Sequence, residues 1–227
     1  MKIDMHCHVK EGSPDSKVSL DEYITILKAN GFEGMLITDH DTYKGYRYWK
    51  NKMKGKSHED FVVLKGIEYD TCDAGHIIVI MPEGVKMRLL ELKGLPVSVL
   101  IDFVHRHGGV LGPAHPCGEK YMSIANTKKF YQSPEIMKRF DFIEAYNCCE
   151  SVVSNTGAAR LAAKYKKVTT GGSDSHKTGC VGRAYTILPE PVTCETELIS
   201  MIHKKVPFEV GGVQYEKTTK DRIGKVN

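Results

Sequence analysis

The sequence predicts an α/β fold built on a parallel sheet, and three observations carry that expectation. Short β-branched runs alternate with amphipathic helical segments along the chain. The clearest helical segment carries its own start and stop signals. Histidines and carboxylates fall just after the apolar runs, where parallel α/β proteins build their sites.

Candidate strands are 2–5, 35–38, 61–64, 76–81, 110–112, 142–146, 168–170 and 184–188. In the first helix, expected over 20–30, Leu20, Tyr23, Ile24 and Leu27 share one face. Ser19 caps it, Glu22 stands where a capping box needs it, and Gly31 ends it. A second helix is expected over 97–107, opened by Pro96 and closed by Gly108 and Gly109. Others are expected over 134–140, 156–166 and 195–204. Periodicity leaves open whether the sheet is open or closed into a barrel.

The 227 residues suffice for one substantial domain. With 41% hydrophobic and 26% charged residues, the composition is that of a soluble globular protein. No apolar run approaches the ~18 residues of a membrane helix. Functional-looking sequence starts at once with MKIDMHCH, so a cytoplasmic location is expected. The net charge of +4 is too small for a surface that coats nucleic acid, yet it suits an anionic substrate. Seven cysteines (Cys7, Cys72, Cys117, Cys148, Cys149, Cys180 and Cys194) show no CxxC pair and are expected as free thiols.

The chemistry-bearing residues have a pattern. His6 and His8 follow the first apolar run, His40 follows the second in LITDHD, and Glu68 follows the third in VVLKGIE. His115 lies in GPAHP, Glu144 lies in FIEAY, and Asp174 and His176 lie in GGSDSH. Because C-terminal strand ends share one rim, six segments would deliver ligand-type side chains to one edge. In an extended HxH both imidazoles point to one face, which sends Cys7 to the other. Histidine and carboxylate ligands without cysteine suit zinc, manganese or iron. Glu68 or Asp174 could bridge two ions ~3.5–4 Å apart. Neither a GxSxG elbow nor a phosphate-binding loop appears. His105 and His107, at a helix end that favours cations, read as structural; His58 and His203 read as surface residues. His76, at the start of an apolar strand, reads on its own as a capped or core histidine.

Taken in order, DMHCH, LITDHD, GIEYD, GHIIVI, GPAHP, FIEAYN, GGSDSH and GCVGRAYT resemble the PHP (polymerase and histidinol phosphatase) family of metal-dependent phosphoesterases over most of the chain. The resemblance implies a distorted (β/α)7 barrel, a single domain without an appended module, and up to three metals on the rim. By matched position it implies His6, His8, Glu68 and Asp174 as one ligand set, with Glu68 bridging. It implies His115, Glu68 and His76 as the second set, and His40 and His176 as part of the third. His76 thereby changes from a core histidine to a ligand. The catalytic roles fall on Glu68, Asp174 and His176.

Two departures stand out. Many family members carry an aspartate or histidine five or six residues after the second histidine of HxH, where this chain has Ser13 and Pro14. Asp15 comes next, and a longer loop is expected to bring it to the third metal. The segment between His115 and Phe142 is also too short for a sizeable cap, so an open pocket is expected. Arg183 is the preferred phosphate grip, with Lys177, Arg160 and Arg47 behind it.

The expected function is hydrolysis of a small phosphorylated substrate, such as a nucleotide, a histidinol phosphate-like ester or a phosphotyrosine-type ester. Two to three divalent ions (manganese, zinc or iron) would activate the attacking water. The lack of a basic stripe with interleaved aromatics sets long nucleic acid behind. The alternatives are a phosphodiesterase or exonuclease on short nucleic acid, an amidohydrolase on a C–N bond, and a non-catalytic metal-binding module.

Overall fold

In the computed structural model, which describes residues 1–85, 88–119 and 122–214, three parallel strands form the heart of a curled sheet. They are β1 (Lys2–Cys7), β2 (Gly34–Ile37) and β3 (Val62–Asp70). β4 (His76–Ile80) turns back antiparallel on β3, and β5 (Val110–Pro113) is antiparallel to β4. β6 (Phe142–Asn147) and β7 (Val168–Gly172) form a separate parallel pair. β8 (Ala184–Ile187) and β9 (Glu209–Gly212) extend the sheet from β1, giving the order β5-β4-β3-β2-β1-β8-β9.

The β6–β7 pair closes the curl. On one side Asp141 N donates to Leu111 O at 2.9 Å, beside β5. On the other, Asp174 N donates to His6 O at 2.8 Å, and Cys7 forms a parallel bridge with Ser175. β1 to β7 thus line one interior, which is the distorted (β/α)7 barrel the resemblance implied. The seam at β7 needs a glycine: a Cβ on Gly172 would sit 2.3 Å from His6 Cβ.

Several elements depart from the expectations, and the sheet is mixed rather than parallel, because the β3–β4, β4–β5, β1–β8 and β8–β9 pairs are antiparallel. The strand expected over 61–64 runs on to Asp70, so Glu68 lies within it rather than after it. Its antiparallel partner explains the extension, pairing Gly66 with Ile80 through to Asp70 with His76. The reversal is made by a tight turn in which Thr71 Oγ1 donates to Gly75 O at 2.6 Å and accepts from Ala74 N at 3.0 Å. Gly75 takes a left-handed φ of 72° there. Because β4 runs backwards, its start shares the rim with the ends of the parallel strands. The helix expected over 134–140 is a 3-10 segment (Pro134–Arg139), and a short helix precedes it at Lys128–Gln132. The helix expected from 156 starts at Val152, where Ser151 Oγ accepts from Ser154 N at 3.1 Å. A helical segment at Lys44–Tyr48, continuing as a π turn over Trp49–Met53, and the strand β9 were not foreseen.

Two apolar layers clamp the sheet. The first helix (Leu20–Ala29) is capped by Ser19 Oγ on Glu22 N, as expected, and buries Leu20, Tyr23, Ile24 and Leu27 against Cys7, Val9, Met35 and Ile37. The helix Val97–Arg106 buries Val97, Leu100, Ile101 and Val104 with Ile77, Val79 and Leu111. Each such side chain contributes roughly 1.5–3 kcal/mol. The barrel interior is filled by Ile3, Met5, Leu36, Leu64, Ile78, Val110 and Phe142. Among the described residues no helix is long and apolar enough to cross a membrane.

Candidate metal centre

A β-bulge sets the first candidate ligands. β1 advances three residues, from Asp4 to Cys7, while β2 advances two, from Met35 to Ile37. Such a bulge re-aims side chains. Ile3 and Met5 pack in the interior, Cys7 packs under the first helix, and His6 and His8 both join the polar cluster at the rim.

Four ligand atoms converge there. His6 Nε2 and His8 Nε2 lie 3.1 Å apart, at 3.2 and 3.1 Å from Glu68 Oε2. Asp174 Oδ1 lies 3.6 Å from His6 Nε2 and 3.2 Å from His8 Nε2. Metal bonds of about 2.0–2.2 Å in tetrahedral geometry put neighbouring ligand atoms roughly 3.3–3.6 Å apart. The His6 Nδ1 atom faces Glu144 Oε1 at 2.9 Å, so its proton belongs on Nδ1 and its lone pair on Nε2. Lone pairs from rings and carboxylates can therefore meet at one point, an arrangement able to hold a metal ion.

The other Glu68 oxygen serves a second group. Oε1 lies 2.9 Å from His76 Nδ1 and 3.2 Å from His115 Nε2. Glu68 Oε2, Asp70 Oδ1 and His76 Nδ1 are buried yet make no hydrogen bond, although other polar groups lie close. Close but misdirected contacts are what ligands around a shared centre produce. A third group brings His8, His40 and His176 together, and a fourth brings His40, Asp70 and His76 together. Asp15 reaches this edge despite its displaced position: its Oδ2 is 3.1 Å from His176 Nε2 and 3.8 Å from His40 Nε2.

The charges agree with a cation site. Burial opposes ionisation of Glu68, but His6, His76 and His40 outweigh it and hold the carboxyl well below the usual carboxylate range. Burial likewise opposes Asp174, and His6 and His8 hold it low. His6 is pushed the other way: burial disfavours its charged form, yet Glu144, Asp174 and Glu68 raise it well above an ordinary histidine. The carboxylates demand positive charge, which protons or divalent metals can supply.

With this geometry in view, comparison with known families is decisive. The PHP domain family matches residues 4–176, and a PHP-associated family matches 153–207. The chain belongs to the PHP family. General metal-dependent hydrolase chemistry of the phosphoesterase kind comes with that membership. Comparison with curated proteins finds no relative. Among solved structures, a protein from Bifidobacterium adolescentis that is itself only assigned as a metal-dependent phosphoesterase is 15% identical, with a TM-score of 0.62 over 89% of this chain and 96% of that one. An amidohydrolase from Chromobacterium violaceum, with bound sulfate and no metal, is 14% identical, with a TM-score of 0.61 over 92% and 97%. Endonuclease Q, in complex with a 27-mer duplex carrying an abasic lesion, is 17% identical, with a TM-score of 0.59 over 99% and 67%. At these identities the likenesses show the shared fold alone.

Behind the PHP cluster stand buried polar groups that sequence reading did not single out. Asp4 accepts from Ser173 N at 2.9 Å, Ser173 Oγ at 2.6 Å, Tyr23 Oη at 3.2 Å and His6 N at 3.2 Å. It ties β1 to the loop holding Asp174, although burial pushes its carboxyl up to about 6. Asp39 accepts from Val9 N, Ser13 Oγ and Gly45 N, so it anchors the loop after His8. Ser13, where the family pattern favours a ligand, lies 3.3 Å from His8 Nδ1. Glu144, singled out among the rim segments but not as a ligand, accepts from His115 N at 2.6 Å and Asn147 Nδ2 at 3.1 Å.

The remaining expectations divide. Cys7 is buried and turned away from the cluster, as expected. His105 pairs with Asp141, and His107 Nδ1 lies 2.8 Å from Phe103 O. His58, read as a surface residue, is half-buried against Asp21 at the start of the first helix. Arg47 pairs with Glu91 at 2.8 Å, which removes it from the anion grips because that carboxylate already holds its guanidinium. Arg160, Lys177 and Arg183 are exposed, the last two flanking the turn after His176.

Proposed function

We propose that this PHP protein hydrolyses a small phosphate monoester at two cation sites sharing Glu68. The first would be held by His6, His8, Glu68 and Asp174, and the second by Glu68, His76 and His115. His40, His176 and Asp15 would hold a third. The carrying observation is the split of Glu68: one oxygen faces His6 and His8, the other His76 and His115. The donor set of nitrogen and oxygen, without sulfur, favours manganese, zinc or iron. Bound there, two such ions supply a water activated at neutral pH and positive charge for the phosphoryl oxygens.

The chain's own residues would orient and neutralise. Glu144 fixes the ring and tautomer of His6, and Asp4 and Asp39 keep the ligand-bearing loops in place. Lys177 and Arg183, exposed beside the His176 turn, are the proposed grips for the substrate's phosphate. The modest net charge favours a small ester over a long nucleic acid.

Protein purified without chelator is expected to contain at least two divalent ions per chain by elemental analysis. It should hydrolyse p-nitrophenyl phosphate, lose activity to EDTA and regain it with manganese. Fewer than one equivalent, with no gain from added manganese, zinc or iron, would defeat the proposal. Hydrolysis confined to bis-p-nitrophenyl phosphate would assign a phosphodiesterase instead, and turnover of amides alone an amidohydrolase.

For the third site, Asp15→Ala is expected to remove about one ion per chain and to slow turnover by roughly ten- to a hundredfold, as loss of supporting metal contacts commonly does. The two-ion core should stay filled. Full metal content and full rate would reduce Asp15 to a surface partner of His176.

A further inference from the structure

Three cysteines that the proposed hydrolysis does not use meet directly behind the Asp174 loop. Cys148 and Cys149 follow β6, and Cys180 ends the turn that follows His176. Their sulfurs all lie within 4.8 Å of one another, and Cys149 Sγ is 3.8 Å from Cys180 Sγ. Cys148 and Cys180 are buried, while Cys149 is half-buried.

We propose that Cys149 and Cys180 form a reversible redox modification site, closed to a disulfide by a small peroxide.

Three features of the geometry support the pair. First, the Cys149 thiol donates toward the Cys180 sulfur, so the two are already directed at each other. Closing from 3.8 Å to a bond of about 2.05 Å needs a local rearrangement of one side chain and its turn. Second, the environment favours a nucleophile at Cys180: the neighbouring thiols, with the Cys149 thiol directed at its sulfur, and the Arg183 charge push its thiol below the usual range. Third, Cys148 is otherwise engaged, its thiol donating to Ser173 O at 3.1 Å. A bond between Cys148 and its chain neighbour Cys149 would also force a strained eight-membered ring.

The chemistry balances. The Cys180 thiolate attacks one oxygen of hydrogen peroxide, the O–O bond breaks, the departing hydroxide takes up the proton that Cys180 had released and leaves as water, and a sulfenic acid forms. The Cys149 sulfur then attacks the Cys180 sulfur, the S–OH bond breaks, and the Cys149 proton leaves with that hydroxide as water. Two thiols are oxidised and one peroxide is reduced to two waters in total.

The position gives the bond a consequence, and this part rests on the proposed metal site. Cys149 Sγ also lies 3.4 Å from Ser173 O and 3.5 Å from Asp174 O, so these carbonyls share its single proton with the Cys180 sulfur. Asp174 has a left-handed φ of 49°, a conformation its surroundings must hold. Oxidation removes the Cys149 proton from reach of those carbonyls and draws the 178–180 turn toward β6, loosening the segment that carries Asp174 and His176.

The test uses the full chain loaded with zinc, which has no redox chemistry of its own here. After titration with hydrogen peroxide, tryptic mapping is expected to show the 140–160 peptide linked to the 178–183 peptide, with fragmentation placing the bond on Cys149. Dithiothreitol should reverse it, and zinc loss to a chromophoric chelator should become at least about fivefold faster while the link is present, the scale of a lost supporting contact. Cys149→Ser should abolish the link and the faster loss together. The wild-type map decides the matter even if that variant folds poorly. Cys149 and Cys180 still reduced when exposed Cys72 is oxidised, a link to Cys148 instead, or a link with unchanged zinc loss would each overturn the proposal. The linkage itself is read by mass, so it stands or falls independently of whether the substrate is a phosphate ester.

Discussion

Glu68→Ala is expected to lower kcat by more than about a thousandfold, equivalent to roughly 4 kcal/mol of transition-state stabilisation. The expectation follows from the two-sided role proposed for this carboxylate. One oxygen lies 3.2 and 3.1 Å from the His6 and His8 nitrogens, and the other 2.9 and 3.2 Å from those of His76 and His115. Alanine takes an acidic ligand from both groups at once and leaves two cations facing each other without the charge that separates them. Metal content should therefore fall below two ions per chain, by elemental analysis, alongside the loss of rate. The fold should survive, because the burial of Ile67 and Tyr69 on either side is untouched and the β3–β4 ladder is made by backbone. Circular dichroism separates loss of site from loss of structure. A variant that keeps its metals and its rate would remove Glu68 from the centre of the chemistry.

Much of the candidate cluster was legible because its geometry is local. HxH in an extended strand fixes the shared face of His6 and His8, and the order of the rim segments needs only strand direction. His76 shows where that reasoning stops. A parallel-strand rule puts the start of β4 at the far end of the barrel, and only the antiparallel β3–β4 hairpin returns it to the rim. The TCDAG turn held that signal, in an Asp and a Gly between two apolar runs. Asp70 was missed although it stands two residues after Glu68 on the same face of β3, a period that could have found it. Asp4 and Asp39 were not legible at all. Their roles depend on Ser173, Tyr23 and Gly45, which only the closed fold brings to them. The same limit hid the three-thiol cluster, since residues 149 and 180 share no motif and meet through the docking of the Asp174 loop on β6.

The seam between β7 and β1 should prove as sensitive as the proposed metal ligands, although no reactive group lies on Gly172. Gly172→Ala is expected to destabilise the chain by about 3 kcal/mol or more, at the upper end of overpacking costs. The added Cβ would stand 2.3 Å from His6 Cβ, 2.5 Å from His6 N and 2.9 Å from His6 Cα, and two of those three atoms are backbone. A side chain can change rotamer to make room, but a strand cannot, so β7 must part from β1. The parting acts on Asp174 N, which donates to His6 O at 2.8 Å, and on the bridge between Cys7 and Ser175. Both contacts lie within three residues of Gly172 on the β7 side, and the chain there continues into Asp174 and His176. Stability and site should therefore fail together. For a chain of this size 3 kcal/mol corresponds to a melting temperature lower by about 6–12 °C. Turnover should drop by about a hundredfold or more, the cost of displacing catalytic groups by an ångström. Scanning calorimetry and the aryl phosphate assay measure the two effects on one preparation. A melt within a degree or two of wild type, with activity retained, would show that β7 yields at no cost and that Asp174 is held by something other than its contact with His6.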